Sequence, residues 1–287
     1  MKKNTKIVIT GSSGFVGSHL LNKLKDMPIS VTCFDRSQHS FFDLETLDSL
    51  LYDADIIFHF AATSAGSGYN PSPVDIYKNN VEATYNLIAS IRKYCRNQPI
   101  VVLLSSIHVY HQSGSKLTEE SVLGPSSVYG MSKLVQEKFL LQAGDEGLIN
   151  PVIFRASNIY GPGSRANYNS AISTFCERVN KGKEIVLFSN GQSLMDLIYI
   201  NDVVSYLLQV DILQSGKVYN MASGFSVSVG EIINMISKIS EKKVRIKKID
   251  SPLIKFSIDN KKLRESFPEI LFTSIEDGLK STCMVEE

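Results

Sequence analysis

Residues Lys6–Leu21 read KIVITGSSGFVGSHLL. The first five are apolar and β-branched enough for a buried strand. Three glycines follow, Gly11, Gly14 and Gly17, and beyond them Leu20, Leu21 and Leu24 fall on one face of a helix over Gly17–Lys25. A glycine turn between strand and helix lets the backbone approach a pyrophosphate, whose charge rests on the helix N-terminus. The next strand, Val31–Phe34, runs into Asp35, 18 residues after Gly17. An acid there hydrogen-bonds the ribose of an adenosine. Strand, turn and acid together predict a dinucleotide site. Asp35 repels a 2′-phosphate and favours NAD, whereas Arg36 offers such a phosphate a partner and keeps NADP open. Asp43 closes a strand-like segment, Ser40–Leu44, and is either an adenine contact or a solvated loop acid.

Outward from this unit the chain alternates strand and helix. Asp55–Phe60 (DIIFHF) and Ile100–Leu104 (IVVLL) are strands without polar alternation, and a helical pattern covers Ile76–Tyr94 between them. Strands apolar on both faces belong to a parallel sheet covered by helices. The expectation is an α/β protein with a Rossmann-type doubly wound parallel sheet. Past residue 150 the rhythm loosens. A strand over Val152–Arg155 leads to the turn Tyr160-Gly161-Pro162-Gly163, a helix over Ser170–Lys181 and a strand over Glu184–Phe188. A strand over Val218–Met221 and a helix over Val229–Ile239 follow. Residues 1–160 and 197–222 are read as the dinucleotide-binding domain, and 161–196 and 223–287 as a smaller C-terminal substrate lobe.

The 287 residues hold 30 Lys plus Arg against 29 Asp plus Glu, a net charge of +1. That balance lacks the concentrated cation that nucleic-acid phosphates or an anionic membrane demand, so neither partner is expected. No apolar run approaches the ~18 residues of a spanning helix. Ile7–Ile9 is too short for the core of a signal peptide. Cys33, Cys95, Cys176 and Cys283 lie too far apart for a metal or redox motif and are expected to be reduced thiols in a cytoplasmic protein.

Two further segments carry chemistry. Ser105-Ser106-Ile107-His108-Val109-Tyr110 ends the fourth strand, at the edge where open sheets bind ligands. Ser127-Val128-Tyr129-Gly130-Met131-Ser132-Lys133 opens a helix, with Tyr129 and Lys133 four apart on one face. A phenol with a pKa near ~10 is a weak base at neutral pH. A neighbouring ammonium and an oxidised nicotinamide favour its phenolate. Tyr129 then exchanges a proton with a secondary alcohol or ketone while hydride passes at the same carbon, and Ser106 shares the charge on that oxygen.

At this point the sequence resembles the extended short-chain dehydrogenase/reductases, in particular their NAD-dependent nucleotide-sugar epimerase/dehydratase group. TGSSGFVG is similar to the family's cofactor loop, His59-Phe60-Ala61-Ala62 to its HxAA strand end, and Asn80-Val81-Glu82-Ala83-Thr84 to its Asn-Val-x-Gly-Thr helix. SSIHVY and YGMSK resemble the catalytic segments, and RASNIYGPG (Arg155–Gly163), MDLIYINDVV (Met195–Val204) and YNMASG (Tyr219–Gly224) the later signatures. The resemblance implies Ser106, Tyr129 and Lys133 as catalytic trio, with Lys133 also on the nicotinamide ribose. It implies cofactor contacts from Gly11, Gly14, Phe15, Val16, Gly17, Asp35, Arg36, Asp43, Leu44, Phe60, Ala61, Ala62, Asn80 and Ser105. Substrate contacts would come from Ser106, His108, Asn158 and Arg165, with no metal.

Dehydratases of this group follow the catalytic Ser/Thr with Asp-Glu; Ile107-His108 stand there instead, which disfavours a 4,6-dehydratase. Epimerisation and 4-keto reduction use the same trio, and the trio does not choose between them. Two departures weaken a diphosphate clamp: Met195 precedes Asp196 where the family often has Arg, and the segment Asp250–Asp259 offers only Lys255. Lysine does not reproduce a planar bidentate clamp. Two other readings therefore stand beside the nucleotide-sugar enzyme: a dehydrogenase or reductase of a small non-nucleotide alcohol or ketone, and a non-catalytic dinucleotide-binding regulator. The family's homodimers, built on two helices, correspond here to Ile76–Tyr94 and Val128–Gln142, where Val135, Phe139 and Leu140 are apolar.

Overall fold

A computed structural model of the chain describes residues 1–64, 70–111, 115–167, 170–253 and 257–284. The elements in chain order are β1 (Lys6–Thr10), α1 (Phe15–Leu24), β2 (Ser30–Cys33), α2 (Asp48–Leu51), β3 (Ile56–His59), α3 (Pro73–Ile76), α4 (Ala83–Tyr94), β4 (Ile100–Ser106) and β5 (Lys116–Leu117). Then come α5 (Val128–Asp145), β6 (Asn150–Ala156), β7 (Asn158–Tyr160), α6 (Ala171–Asn180), β8 (Ile185–Phe188), β9 (Leu194–Tyr199) and α7 (Ile200–Leu207). The chain closes with β10 (Lys217–Met221), β11 (Ser226–Ser228), α8 (Val229–Ile239), β12 (Ile246–Ile249), β13 (Ser257–Ile258), α9 (Lys261–Ser266) and α10 (Ile275–Cys283).

Six parallel strands form the central sheet in the order β10-β6-β4-β3-β1-β2. The chain leaves β1 for β2 on one side and returns to β3 on the other. This reversal opens a crevice above the carboxyl ends of β1 and β3. Alternation along each strand feeds two cores. Ile7, Ile9, Phe58 and Phe154 pack with Leu20 and Leu24 of α1 and Val203, Val204 and Leu207 of α7. Val8, Ile57, Val101 and Ile153 pack on the other face with Leu50, Leu87, Ile91 and Leu140.

Three smaller sheets, β11-β9-β7, β12-β8 and β13-β5, build the remainder. The helix expected over Ile76–Tyr94 is interrupted by a π turn at Tyr77–Glu82 between α3 and α4. The strand expected over Ser40–Leu44 is only an isolated bridge, Ser40 to Asp43, followed by a 3₁₀ turn at Leu44–Leu47. Asp43 caps that turn by accepting from Glu45 N, and the cap replaces a ladder.

The expectation of four reduced thiols is corrected for two of them. Cys176 on α6 and Cys283 on α10 form a disulfide, with Cα atoms 5.2 Å apart, while Cys33 and Cys95 are free. No helix among the described residues is long and apolar enough to cross a membrane.

Candidate active site

The crevice holds a cavity of about 320 Å³. One wall is the glycine turn: Gly11, Gly14, Phe15, Val16 and Gly17 all line it. Gly11 has φ +73°, and a Cβ there would fall 2.7 Å from backbone atoms of both Phe60 and Ala61. Only glycine fits so close to the end of β3. Gly14 caps α1 without a side chain, so the first-turn N–H groups of α1 have no partner within the helix. Such an end holds an anion. Phe60 and Ala62 form the facing wall.

A second cavity shares Ala62 with the first and is lined by Phe34, Arg36, His39, Ser40, Phe41, Phe42 and Ala61 among others. Phe34 and Phe41 stack there with centroids 4.3 Å apart. Asp35 stands at its margin, exposed, and accepts at 2.8 Å from both the backbone N and the hydroxyl of Ser37. The backbone bond, then the hydroxyl, hold its carboxyl below the usual range. A flat aromatic slot beside a firmly ionised acid and Arg36 fits an adenosine. Asp43 and Leu44 lie just beyond and line neither cavity.

The reacting end is built from β4 and α5. Ser127 caps α5 by accepting from Gly130 N at 3.0 Å, which places Tyr129 in the first turn. Lys133, one turn on, is buried; its Nζ donates to Leu104 O at 3.0 Å and lies 5.9 Å from the centre of the Tyr129 ring. Ser106 ends β4 and accepts from His108 N at 3.2 Å while hydrogen-bonding the Tyr129 phenol. Ser106, His108, Tyr129 and Lys133 all line the cavity. Burial pushes the Tyr129 phenol up to about 12, and the Ser106 bond acts the other way. Burial lowers Lys133 to about 8, against the nearby carboxylate of Glu137. His108 is lowered by burial, and its ring is 6.4 Å from that of Tyr129.

On the substrate side, Asn158 lines the cavity together with Ser157, Ile159, Ser170, Ile172 and Met195. Asn158 Nδ2 donates to Asp196 O at 3.0 Å. The Asp196 carboxylate, fully buried, accepts from Ser157 Oγ, Ser223 N and Gly224 N at 2.8–2.9 Å, tying β6, β9 and the turn after β10 together.

The structure does not bring every expected residue to the cleft. Asn80 is fully buried in the π turn and lines neither cavity; its amide holds Thr63 N, Thr63 O and Ser132 Oγ. It braces the segment after β3 against α5. Ser105 lines the cavity, but its hydroxyl donates to Glu137. Arg165 is exposed before α6 and does not line the cleft, and Lys255 lies outside the described residues. Among the described residues no group of three or more His, Cys, Asp or Glu forms a candidate metal site.

Sequence reasoning missed the buried acids. Glu137 follows Lys133 by four positions on the same helical face, and that spacing was the available signal. Asp196 interrupts an apolar strand, a pattern that demands buried partners. His59 is likewise buried, with Nδ1 2.9 Å from Thr10 Oγ1 and Nε2 2.9 Å from Thr84 Oγ1. Burial first, then the Lys133 charge, lower it to about 3, so the ring is neutral.

Comparison with known proteins agrees with this geometry. Residues 7–222 match the family described as the NAD dependent epimerase/dehydratase family. A UDP-2-acetamido-2,6-beta-L-arabino-hexul-4-ose reductase of Pseudomonas aeruginosa is 31% identical over 237 residues, 80% of this chain and 56% of that protein. The UDP-glucuronic acid 4-epimerase of Bacillus cereus, solved with NAD, superposes with a TM-score of 0.85 at 23% identity over 97% of this chain and 96% of that one. The RMD protein of Pseudomonas aeruginosa, solved with NADPH, gives 0.85 at 21% identity over 98% of both. The chain belongs to the NAD-dependent epimerase/dehydratase family.

Proposed function

We propose that this protein interconverts a secondary alcohol and a ketone on a nucleotide-linked sugar, as an epimerase or a 4-keto reductase. The observation that carries the reading is the convergence of Ser106, Tyr129 and Lys133 on one cavity whose other wall is the glycine turn. Residues 1–160 with 197–222 would hold the cofactor, and 161–196 with 223–287 the sugar. The glycine turn, Asp35 and the aromatic slot suit NAD, and Arg36 leaves room for NADP. The nicotinamide, when bound, supplies or takes up hydride.

The chain's own residues handle the proton. In oxidation Tyr129 removes the hydroxyl proton; in reduction it returns one to the forming alkoxide. Ser106 donates to the same oxygen. The Lys133 ammonium, 5.9 Å from the centre of the Tyr129 ring, favours the phenolate. It acts with the Ser106 bond against the rise to about 12 that burial imposes. His108 and Asn158, which line the cavity, would face the sugar, whereas Arg165 does not line it. Ile107-His108 in place of an acid pair argues against a 4,6-dehydratase.

A second reading, an alcohol or ketone without a nucleotide, is favoured by Met195. It lines the cleft where the resemblance leads one to expect an arginine, and among the described lining residues Lys133 is the one lysine or arginine. A homodimer would be built on α4 and α5, where Tyr85, Val128 and Met131 are each about half exposed or more; a monomeric mass in sedimentation would contradict it.

The test is deuterium transfer. Protein is incubated with a UDP-4-keto sugar and NADH or NADPH deuterated at C4, and the sugar is weighed by mass spectrometry. Deuterium in the sugar supports the reductase, and stoichiometric NAD retained through purification supports the epimerase. Transfer to a small ketone alone supports the second reading. No bound or accepted dinucleotide would refute all three.

A further inference from the structure

We propose that Glu137 is a positioning residue of the reaction: its buried carboxylate pins the Ser105–Ser106 strand end and supplies the negative charge beside which Lys133 remains an ammonium. The proposal rests on the reading of Lys133 and Tyr129 above. Glu137 lies one helical turn beyond Lys133 on α5 and is 1% exposed. Its Oε1 accepts from Ser105 Oγ, next to the Ser106 hydroxyl that contacts the Tyr129 phenol. Arg155 on β6 closes a fork on the same carboxylate, with NH2 to Oε2 at 2.8 Å and Nε at 3.1 and 3.2 Å from the two oxygens. A purely structural pair would stop there.

Two features extend it toward the chemistry. Lys133 Nζ donates to Leu104 O and sits in a desolvated floor, where an ammonium without an opposing charge loses its proton. Beside Lys133 stand neutral His59 from β3, the Tyr129 ring and, in the same cavity, His108, while Arg155 from β6 holds Glu137 and the Tyr110 phenol. Glu137 is the acid whose charge reaches Lys133, whereas Glu119 gives its backbone O to Arg155 and its carboxylate to Asn220 N, near Tyr110, Tyr219 and Lys262. Arg155 spends its planar fork on the carboxylate and donates onward to Tyr110 at 3.0 Å, so the orientation of the acid is fixed.

The test reads Lys133 directly and needs no substrate. Cofactor-free protein is labelled with trace acetic anhydride from pH 6 to 11, and the Lys133 peptide is quantified by mass spectrometry. In the unaltered protein the labelling midpoint is expected near about 8, where burial places Lys133; a midpoint below 6 would overturn the proposal without any variant. Glu137→Gln keeps an acceptor for Ser105 but removes the charge, and is expected to lower the midpoint by at least one unit, a tenfold loss of ammonium at a pH above both midpoints. Glu137→Asp is expected to restore it. Because Glu137→Gln strands Arg155, Glu137→Gln/Arg155→Met provides the same reading in a neutral pair. An unchanged midpoint in either folded variant would refute the role. Failure of deuterium transfer with a normal midpoint shift would instead count against the proposed reaction.

Discussion

Replacing Gly11 by alanine separates two costs that usually arrive together. Gly11 and Gly147 share nearly the same backbone, φ +73° and +71°, but differ in surroundings. A Cβ at Gly11 meets backbone of Phe60 and Ala61 at 2.7 Å, and a Cβ at Gly147 meets nothing within 4 Å. The left-handed conformation alone costs an L-residue about 1–2 kcal/mol. Overpacking against backbone that cannot step aside adds about 1–3 kcal/mol. Gly147→Ala is therefore expected to destabilise by about 1–2 kcal/mol and Gly11→Ala by about 2–5 kcal/mol. For a chain of this size each kcal/mol moves Tm by ~2–4 °C. Thermal unfolding of the cofactor-free proteins measures both, and NADH titration by fluorescence transfer is expected to show weakened binding only for Gly11→Ala. Equal Tm values for the two variants, with NADH binding intact in Gly11→Ala, would refute the close approach of the glycine turn to the end of β3.

Acid sensitivity is expected from His59. Its folded pKa of about 3 lies below the ordinary 6.5, so its contribution is fully present above pH 6.5 and declines as pH falls toward 3. Between pH 6.5 and 5 the loss is roughly 2 kcal/mol, visible as a lower urea midpoint that His59→Gln flattens; an identical pH slope in that variant would contradict burial of a neutral imidazole. Reducing the Cys176–Cys283 bridge, which spans 107 residues, is expected to cost about 2–4 kcal/mol of stability. Thiol counting by mass spectrometry before and after dithiothreitol checks it, and four free thiols in the untreated protein would rule the bridge out.

The parts legible in the sequence are those whose signal is local. Lys6–Leu21 carries strand, turn and helix within sixteen residues, and the four-residue step from Tyr129 to Lys133 sets a shared face whatever the rest of the chain does. The central sheet followed, because strands buried on both faces have few other homes. What escaped depends on distant partners. The motif around Asn80 suggests a cofactor contact and carries no sign of its neighbours in the fold. Its amide bridges Thr63 and Ser132, 17 and 52 residues away. Asp196 gathers Ser157, Ser223 and Gly224 from two other segments. The cysteine bridge joins residues whose spacing fits no motif, so counting thiols misjudged two of four. The short strand expected at Ser40–Leu44 failed for the opposite reason: Asp43 offers its backbone a local cap that competes with pairing.

The proton at Tyr129 is the centre of the proposed chemistry. Tyr129→Phe keeps the ring and removes only the hydroxyl, so NADH affinity is expected to stay within about threefold while deuterium transfer to the sugar falls by ~10²–10⁴. Transfer at the unaltered rate in a folded, cofactor-binding Tyr129→Phe protein would contradict it.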